Sequence, residues 1–236
     1  MKMMTNSLKV ASYAAIFKVS GFVKMSFLVG SQMIWFSGVN SILPLSGAFG
    51  GVLGAGLVFL MRQLIHIICF KTLSLSFLAL CVPGFCASLY WAQPSPRLRR
   101  TSSPIESLFA HVLHLLLPIA CMFLFIAHPI GGQAFIYSFY WLIPVVLYFI
   151  PHRSLFLTAL GSTFIAHAVG SVIWCYTVPM TAAMWLGLMP IVALERILFA
   201  LGMVVAHHMI SFIFKMIDDI ALRNISAQSQ LAICKK

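Results

Sequence analysis

Acidic residues are nearly missing from this chain. Four occur in 236 positions (Glu106, Glu195, Asp218 and Asp219), and charged residues of both signs make up 8%, against about 25% in an ordinary soluble domain. A soluble protein of this length has a wide surface to keep wet, and so few charges cannot do it. Apolar residues make up 61% of the sequence. The expectation is an integral membrane protein with the lipid bilayer over most of its surface. The shortage of acids also bounds the chemistry, because Glu195 is the one carboxylate well inside an apolar run.

Other absences narrow the class further. The six cysteines (Cys69, Cys81, Cys86, Cys121, Cys175 and Cys234) form no CxxC pair. Most lie in apolar runs, where a free thiol behaves as a small hydrophobe, which argues against a disulfide scaffold or a zinc site. His111 and His114 are three apart, but neither an HExxH sequence nor a set of carboxylates accompanies them. No Walker A sequence, dinucleotide fingerprint, nucleophile elbow or protease motif occurs. The chain therefore brings no nucleotide site of its own to drive transport. No metal, cofactor or catalytic residue is assigned. The basic N-terminus MKMMTNSLKV is followed by Lys18 and Lys24, which interrupt any signal-peptide core, so no cleaved leader is read.

What is present is positive charge and long apolar runs. The net charge is +11. The basic residues are scattered without interleaved aromatics, so they fit cytoplasmic loops and not nucleic acid. Four spans stand out in the second half, at about 107–127, 133–150, 154–176 and 185–214. Arg97, Arg99 and Arg100 precede the first, Arg153 separates the second and third, and Lys215, Arg223, Lys235 and Lys236 follow the last. The turns at 128–132 and 177–184 carry no Lys or Arg. This asymmetry puts 93–106, 151–153 and the C-terminus in the cytoplasm, in keeping with a bacterial inner membrane. The last run exceeds one perpendicular crossing, so it is tilted, kinked at Pro190 or extended beyond the bilayer.

The first 92 residues are less regular. A helix over about 8–30 is diluted by Lys18 and Lys24, and helices are expected over about 47–68 and 72–91. Between them, Asn40, Pro44 and a glycine-rich run point to a broken or re-entrant segment near residues 30–45, which protein must cover at membrane depth. The fold expected is all-α: a polytopic membrane helix bundle of about six transmembrane helices. Residues 1–215 form a single transmembrane domain with a cytoplasmic loop at 93–106, and 216–236 form a polar, frayed cytoplasmic tail.

Small residues recur at helical spacing. Gly47, Gly51 and Ala55 are four apart, which suits close helix packing or a glycine-lined path. Ala159, Thr163, Ala166 and Gly170 repeat the pattern, and Ala11 and Ala15 form a weaker pair. Ionisable groups inside a membrane invite a functional hypothesis. Glu195 reads either as a substrate or proton ligand facing the bundle interior, or as half of an internal ion pair with Arg62 or Arg196. His167, set between Ala166 and Ala168, reads as a ligand contact or a structural hydrogen bond. Trp174, Tyr176 and Trp185 suit interfacial anchoring or stacking on a planar ligand. Asn40, Ser37, Ser41 and Gln32 gather around the break at Pro44, where unpaired backbone can bind polar substrates.

The stretch FSGVNSILPLSGAFGGVLGAGLVFLMR, Phe36 to Arg62, resembles the loop and third helix of the substrate-binding S components of energy-coupling factor vitamin transporters. The six-helix layout with basic cytoplasmic ends is similar too. The Ala11–Ala15 pair resembles the small-residue motif with which those proteins dock a membrane coupling subunit. The resemblance implies capture of a small vitamin-like ligand on the outer side, and toppling in the membrane driven by partner cytoplasmic ATPases. Residues that mark the biotin, thiamine, riboflavin or folate members are not found. The function expected is membrane transport of a small vitamin-like or precursor molecule, as a substrate-capture subunit or a small importer that couples to protons through Glu195. The alternatives are a membrane scaffold or assembly subunit, and a membrane-embedded enzyme acting on a lipid-like substrate.

Overall fold

A computed structural model describes residues 2–29, 32–72, 74–93 and 104–234. The chain opens with α1 (Lys2–Ser20), followed by an antiparallel hairpin of β1 (Lys24–Val29) and β2 (Gln32–Ser37). A single helical turn, α2 (Val39–Ile42), leads through Pro44 into α3 (Leu45–Phe70) and α4 (Leu75–Ala92). Beyond the basic linker come α5 (Pro104–Ala127) and the shorter apolar α6 (Phe135–Phe149). Helices α7 (Leu155–Thr177) and α8 (Ala182–Cys234) complete the chain.

Among the described residues, α3, α4, α5, α7 and α8 are each long and apolar enough to cross a membrane, with α6 as a shorter companion. The fold is an all-α polytopic membrane bundle, and the irregular element near residues 30–45 is the hairpin and α2. The helix expected to reach residue 30 stops at Ser20. There the Gly21 amide closes a tight turn on the Lys18 carbonyl at 3.2 Å, and the Gly38 amide bonds the Val23 carbonyl at 2.7 Å. The alternation Met33, Trp35 against Ile34, Phe36 is compatible with a strand, although in sequence it reads simply as apolar.

Helix ends follow local chemistry. Ser74 caps α4 by accepting from the Phe77 amide at 3.3 Å. Ser154 caps α7 by accepting from the Leu157 amide at 3.2 Å. Lys71 closes α3 in the left-handed conformation with φ 55°. Inside α3, Gly51 breaks the helix at φ 61° and ψ −157°, a region that essentially only glycine occupies. Gly51 is therefore a hinge in α3 and not a packing contact, since a Cβ there would meet nothing within 4 Å. Gly47 does pack: a Cβ on it would overlap the Ser88 carbonyl of α4. Ala55, 1% exposed, is buried in the same layer.

Burial runs in a gradient. Only 11% of the most apolar stretch of α3 is covered by protein, and Leu53, Leu57 and Leu60 point outward, as a lipid-facing helix requires. Helix α7 is the most covered and lies between α4 and α8. At the 177–182 end, Phe125 of α5, Tyr137 and Trp141 of α6 and Trp185 of α8 are almost completely buried. Their rings meet edge to face, with Trp185 centred 5.1 Å from Phe125 and 4.9 Å from Tyr137.

At the opposite end a polar knot joins α4, α5 and α7. A wider π-type turn over Val112–Leu116 precedes Pro118, which has no amide hydrogen to give. It carries His114 inward, where a ring nitrogen meets the Gln93 carbonyl at 3.1 Å and the ring stacks on Tyr90 at 4.0 Å. Arg153, just ahead of α7, donates to the Tyr90 hydroxyl.

The segment expected to fray from Met216 instead continues α8 as helix to Cys234. At 53 residues this helix is about 80 Å long, well beyond a hydrocarbon core of ~30 Å. Its extension carries Asp218, paired with Lys9 of α1 at 2.7 Å. The tyrosine hydroxyl of Tyr13 donates to the Ile42 carbonyl at 2.7 Å. These contacts tie α1 to α8 and to α2.

Candidate substrate cavity

A cavity of about 290 Å³ opens among α2, α3, α4, α7 and α8, with Tyr137 of α6 reaching its wall. Two helix faces build most of it. On α7, Thr163, His167, Gly170 and Trp174 recur at steps of three and four, which aligns them on one side. On α8, Trp185, Leu188, Val192, Glu195, Phe199 and Met203 do the same. The third wall is Pro83 and Gly84 of α4 with Arg62 of α3, and Asn40 and Pro44 at the break complete the lining.

Of the residues singled out in sequence, the cavity gathers Glu195, His167, Trp174, Trp185 and Asn40. Glu195 is 2% exposed, and one carboxylate oxygen lies 2.5 Å from an Arg196 terminal nitrogen. Neighbours in sequence cannot align well on a helix, and this oxygen has no well-angled donor among the described residues. The contact is thus an ion pair whose carboxylate keeps hydrogen-bonding capacity to spare. Arg196 also donates to the Thr163 carbonyl at 3.3 Å and lies over the Phe199 ring at 5.1 Å. Trp185 is buried, whereas Trp174 is 45% exposed and stands at the rim.

Three further atoms of cavity-lining side chains are buried without a hydrogen-bond partner among the described residues: His167 Nε2, Trp185 Nε1 and Arg196 Nε. Most buried polar groups in folded proteins are paired. These three belong to residues on the cavity wall, while the atoms themselves are closed off from its open space.

The remaining residues fall elsewhere. The Tyr176 hydroxyl donates to the Leu124 carbonyl at 2.9 Å and its ring meets His128 at 4.9 Å, so it braces α5 and does not line the cavity. Ser37 accepts from the Val39 amide at 3.3 Å, a local turn. Ala166 and Gly170 line the cavity, and a Cβ on Gly170 would touch Pro83 at an ordinary 3.6 Å. Their small size leaves open space more than it brings helices together. Ala11 and Ala15 are exposed on α1.

Sequence reasoning passed over Tyr137, Thr163 and Ser171 as site residues. The signal was there for two of them, because Thr163, His167, Ser171 and Trp174 share one helical face. Tyr137 gave none, since α6 is apolar on every side. Among the described residues no three His, Cys, Asp or Glu side chains gather closely enough to hold a metal ion. His111 contacts the Ser107 carbonyl of its own helix and His114 the Gln93 carbonyl. Compared with family models, curated proteins and solved structures, the chain matches none.

Proposed function

We propose that this protein captures a small, planar, water-soluble compound in the cavity and serves its passage across the membrane, as a substrate-capture subunit or small importer. The observation that carries this reading is one cavity with aromatic walls, Tyr137, Trp174 and Trp185, whose lining also brings together Asn40, His167, Glu195 and Arg196. Small-molecule sites have this character: an apolar lining with a few fixed polar groups. The volume, about 290 Å³, suits a vitamin-sized molecule. With the basic loops inside, the rim at Trp174 opens outward, where a captured nutrient would arrive.

The exposed Ala11–Ala15 face of α1 supports docking of a membrane coupling subunit that works with cytoplasmic ATPases, as the resemblance to S components implies. The chain's own lack of a nucleotide motif fits that division of labour. A thermal-shift screen of the detergent-purified protein against vitamins and their precursors tests the reading. One class of planar compound should raise the melting temperature, and Trp185→Ala should abolish the rise. A folded protein that responds to no member of the panel would instead favour the scaffold alternative.

A further inference from the structure

The charges around the cavity do not cancel. Arg196 is matched by Glu195 at 2.5 Å. Arg62, on the opposite wall, has no carboxylate partner among the described residues. The chain has few to offer: of its four acids, Asp218 lies on the α8 extension paired with Lys9 and Asp219 is next to it. Glu106 stands at the start of α5 and does not line the cavity. Arginine stays charged at any pH a cell meets, and a cation inside a membrane-embedded bundle is costly unless something answers it. Lipid-facing α3 carries one such residue in its apolar stretch, turned to the cavity.

We infer that the ligand is a planar compound bearing one negative charge, a carboxylate, held by Arg62 with its ring among Tyr137, Trp174 and Trp185. The inference rests on the capture reading above and adds the ligand's charge to it. A guanidinium fork meets a carboxylate with two parallel hydrogen bonds, so the geometry of the anion is selected as well as its charge. The Glu195–Arg196 pair contributes no net charge. Arg62 is therefore left to set the charge that the cavity presents to a ligand.

The test is calorimetric titration of the purified protein with matched pairs that differ only in charge: nicotinate and nicotinamide, anthranilate and anthranilamide, salicylate and salicylamide. The carboxylate of a pair should bind at least about ten-fold tighter than its amide, the scale of one charge-assisted interaction. Arg62→Gln should erase that preference and Arg62→Lys should keep part of it. Glu195→Gln, which leaves two unopposed guanidiniums, should widen it, and if Arg62→Gln does not fold, Arg62→Lys decides the matter: an undiminished preference there would overturn the inference. Amides binding as tightly as acids, or a preference unchanged in folded Arg62→Gln, would overturn the inference and leave the capture reading standing. No binding by any member would overturn the capture reading itself. Loss of carboxylate binding on moving from phosphatidylcholine to phosphatidylglycerol nanodiscs would put a lipid phosphate at Arg62 and overturn the soluble ligand.

Discussion

Gly47 and Gly56 both lie in α3, yet alanine at each meets a different environment. A Cβ on Gly47 would overlap the Ser88 carbonyl, a backbone atom that cannot step aside without moving α4. Gly47→Ala is expected to cost about 1–3 kcal/mol or more, as overpacking does. A Cβ on Gly56 would meet nothing within 4 Å, so alanine there removes backbone freedom from the unfolded chain and stabilises by up to ~1 kcal/mol. Thermal melts of the two variants in one detergent check this, and a common sign would contradict the packing described. Trp185 offers a finer residue-scale test. Phenylalanine keeps its ring contacts with Phe125 and Tyr137 but removes the unpartnered N–H. Trp185→Phe should weaken ligand binding by roughly ten-fold, one hydrogen bond's worth, and lower the ligand-free melting temperature modestly, because a buried Trp loses part of its volume. Unchanged affinity would remove Trp185 Nε1 from the site.

At the scale of elements, the bundle was legible and the entry to it was not. Long apolar runs bounded by arginines marked α4, α5, α7 and α8, because a bilayer leaves helices no other way to satisfy their backbone. The hairpin was not legible. The runs Phe27–Val29 and Met33–Phe36 are continuously apolar and carry no period of two, which hid the turn signal of Gly30-Ser31 between them. The continuation of α8 past Met216 was missed for a related reason. Polar sequence there looked frayed, but a helix already nucleated in the bundle propagates at little cost. Its pairing with α1 through Lys9 and Asp218 is partly exposed, so Lys9→Ala should change stability by under about 1 kcal/mol. A larger loss in a denaturation series would mean that α1 is held by that contact and not by the packing of Tyr13 and Phe17. The small-residue stripe on α7 was visible as a pattern, although its role as open cavity wall depended on what α4 places opposite. Gly170→Leu should therefore fill the cavity and abolish binding with little change in folding, read by titration beside a thermal melt. Normal affinity in that variant would put the ligand elsewhere.

For the molecule as a whole, the proposal depends on which side of the membrane the cavity opens to. Arg153 sits in the polar knot at one end and Trp174 stands at the cavity rim near the other. A reporter fused after Lys236 should be active only if that reporter works in the cytoplasm, and a reporter inserted in the 177–182 turn only if it works outside. The reverse pattern would turn the cavity mouth to the cytoplasm and remove the case for nutrient capture. Five of the residues marked in sequence converge on one cavity through Glu195, His167, Trp174, Trp185 and Asn40. That convergence came from helix register, which spacing alone suggests but does not pair.

The central claim is that the cavity holds a small molecule. Native mass spectrometry of the gently purified wild-type protein, run beside Gly170→Leu, tests it most directly. The account predicts a stoichiometric adduct of vitamin-like mass on the wild type that is missing from the variant. An adduct equally abundant on both proteins, or a bare wild-type protein that stays bare after incubation with the vitamin and precursor panel, would contradict it.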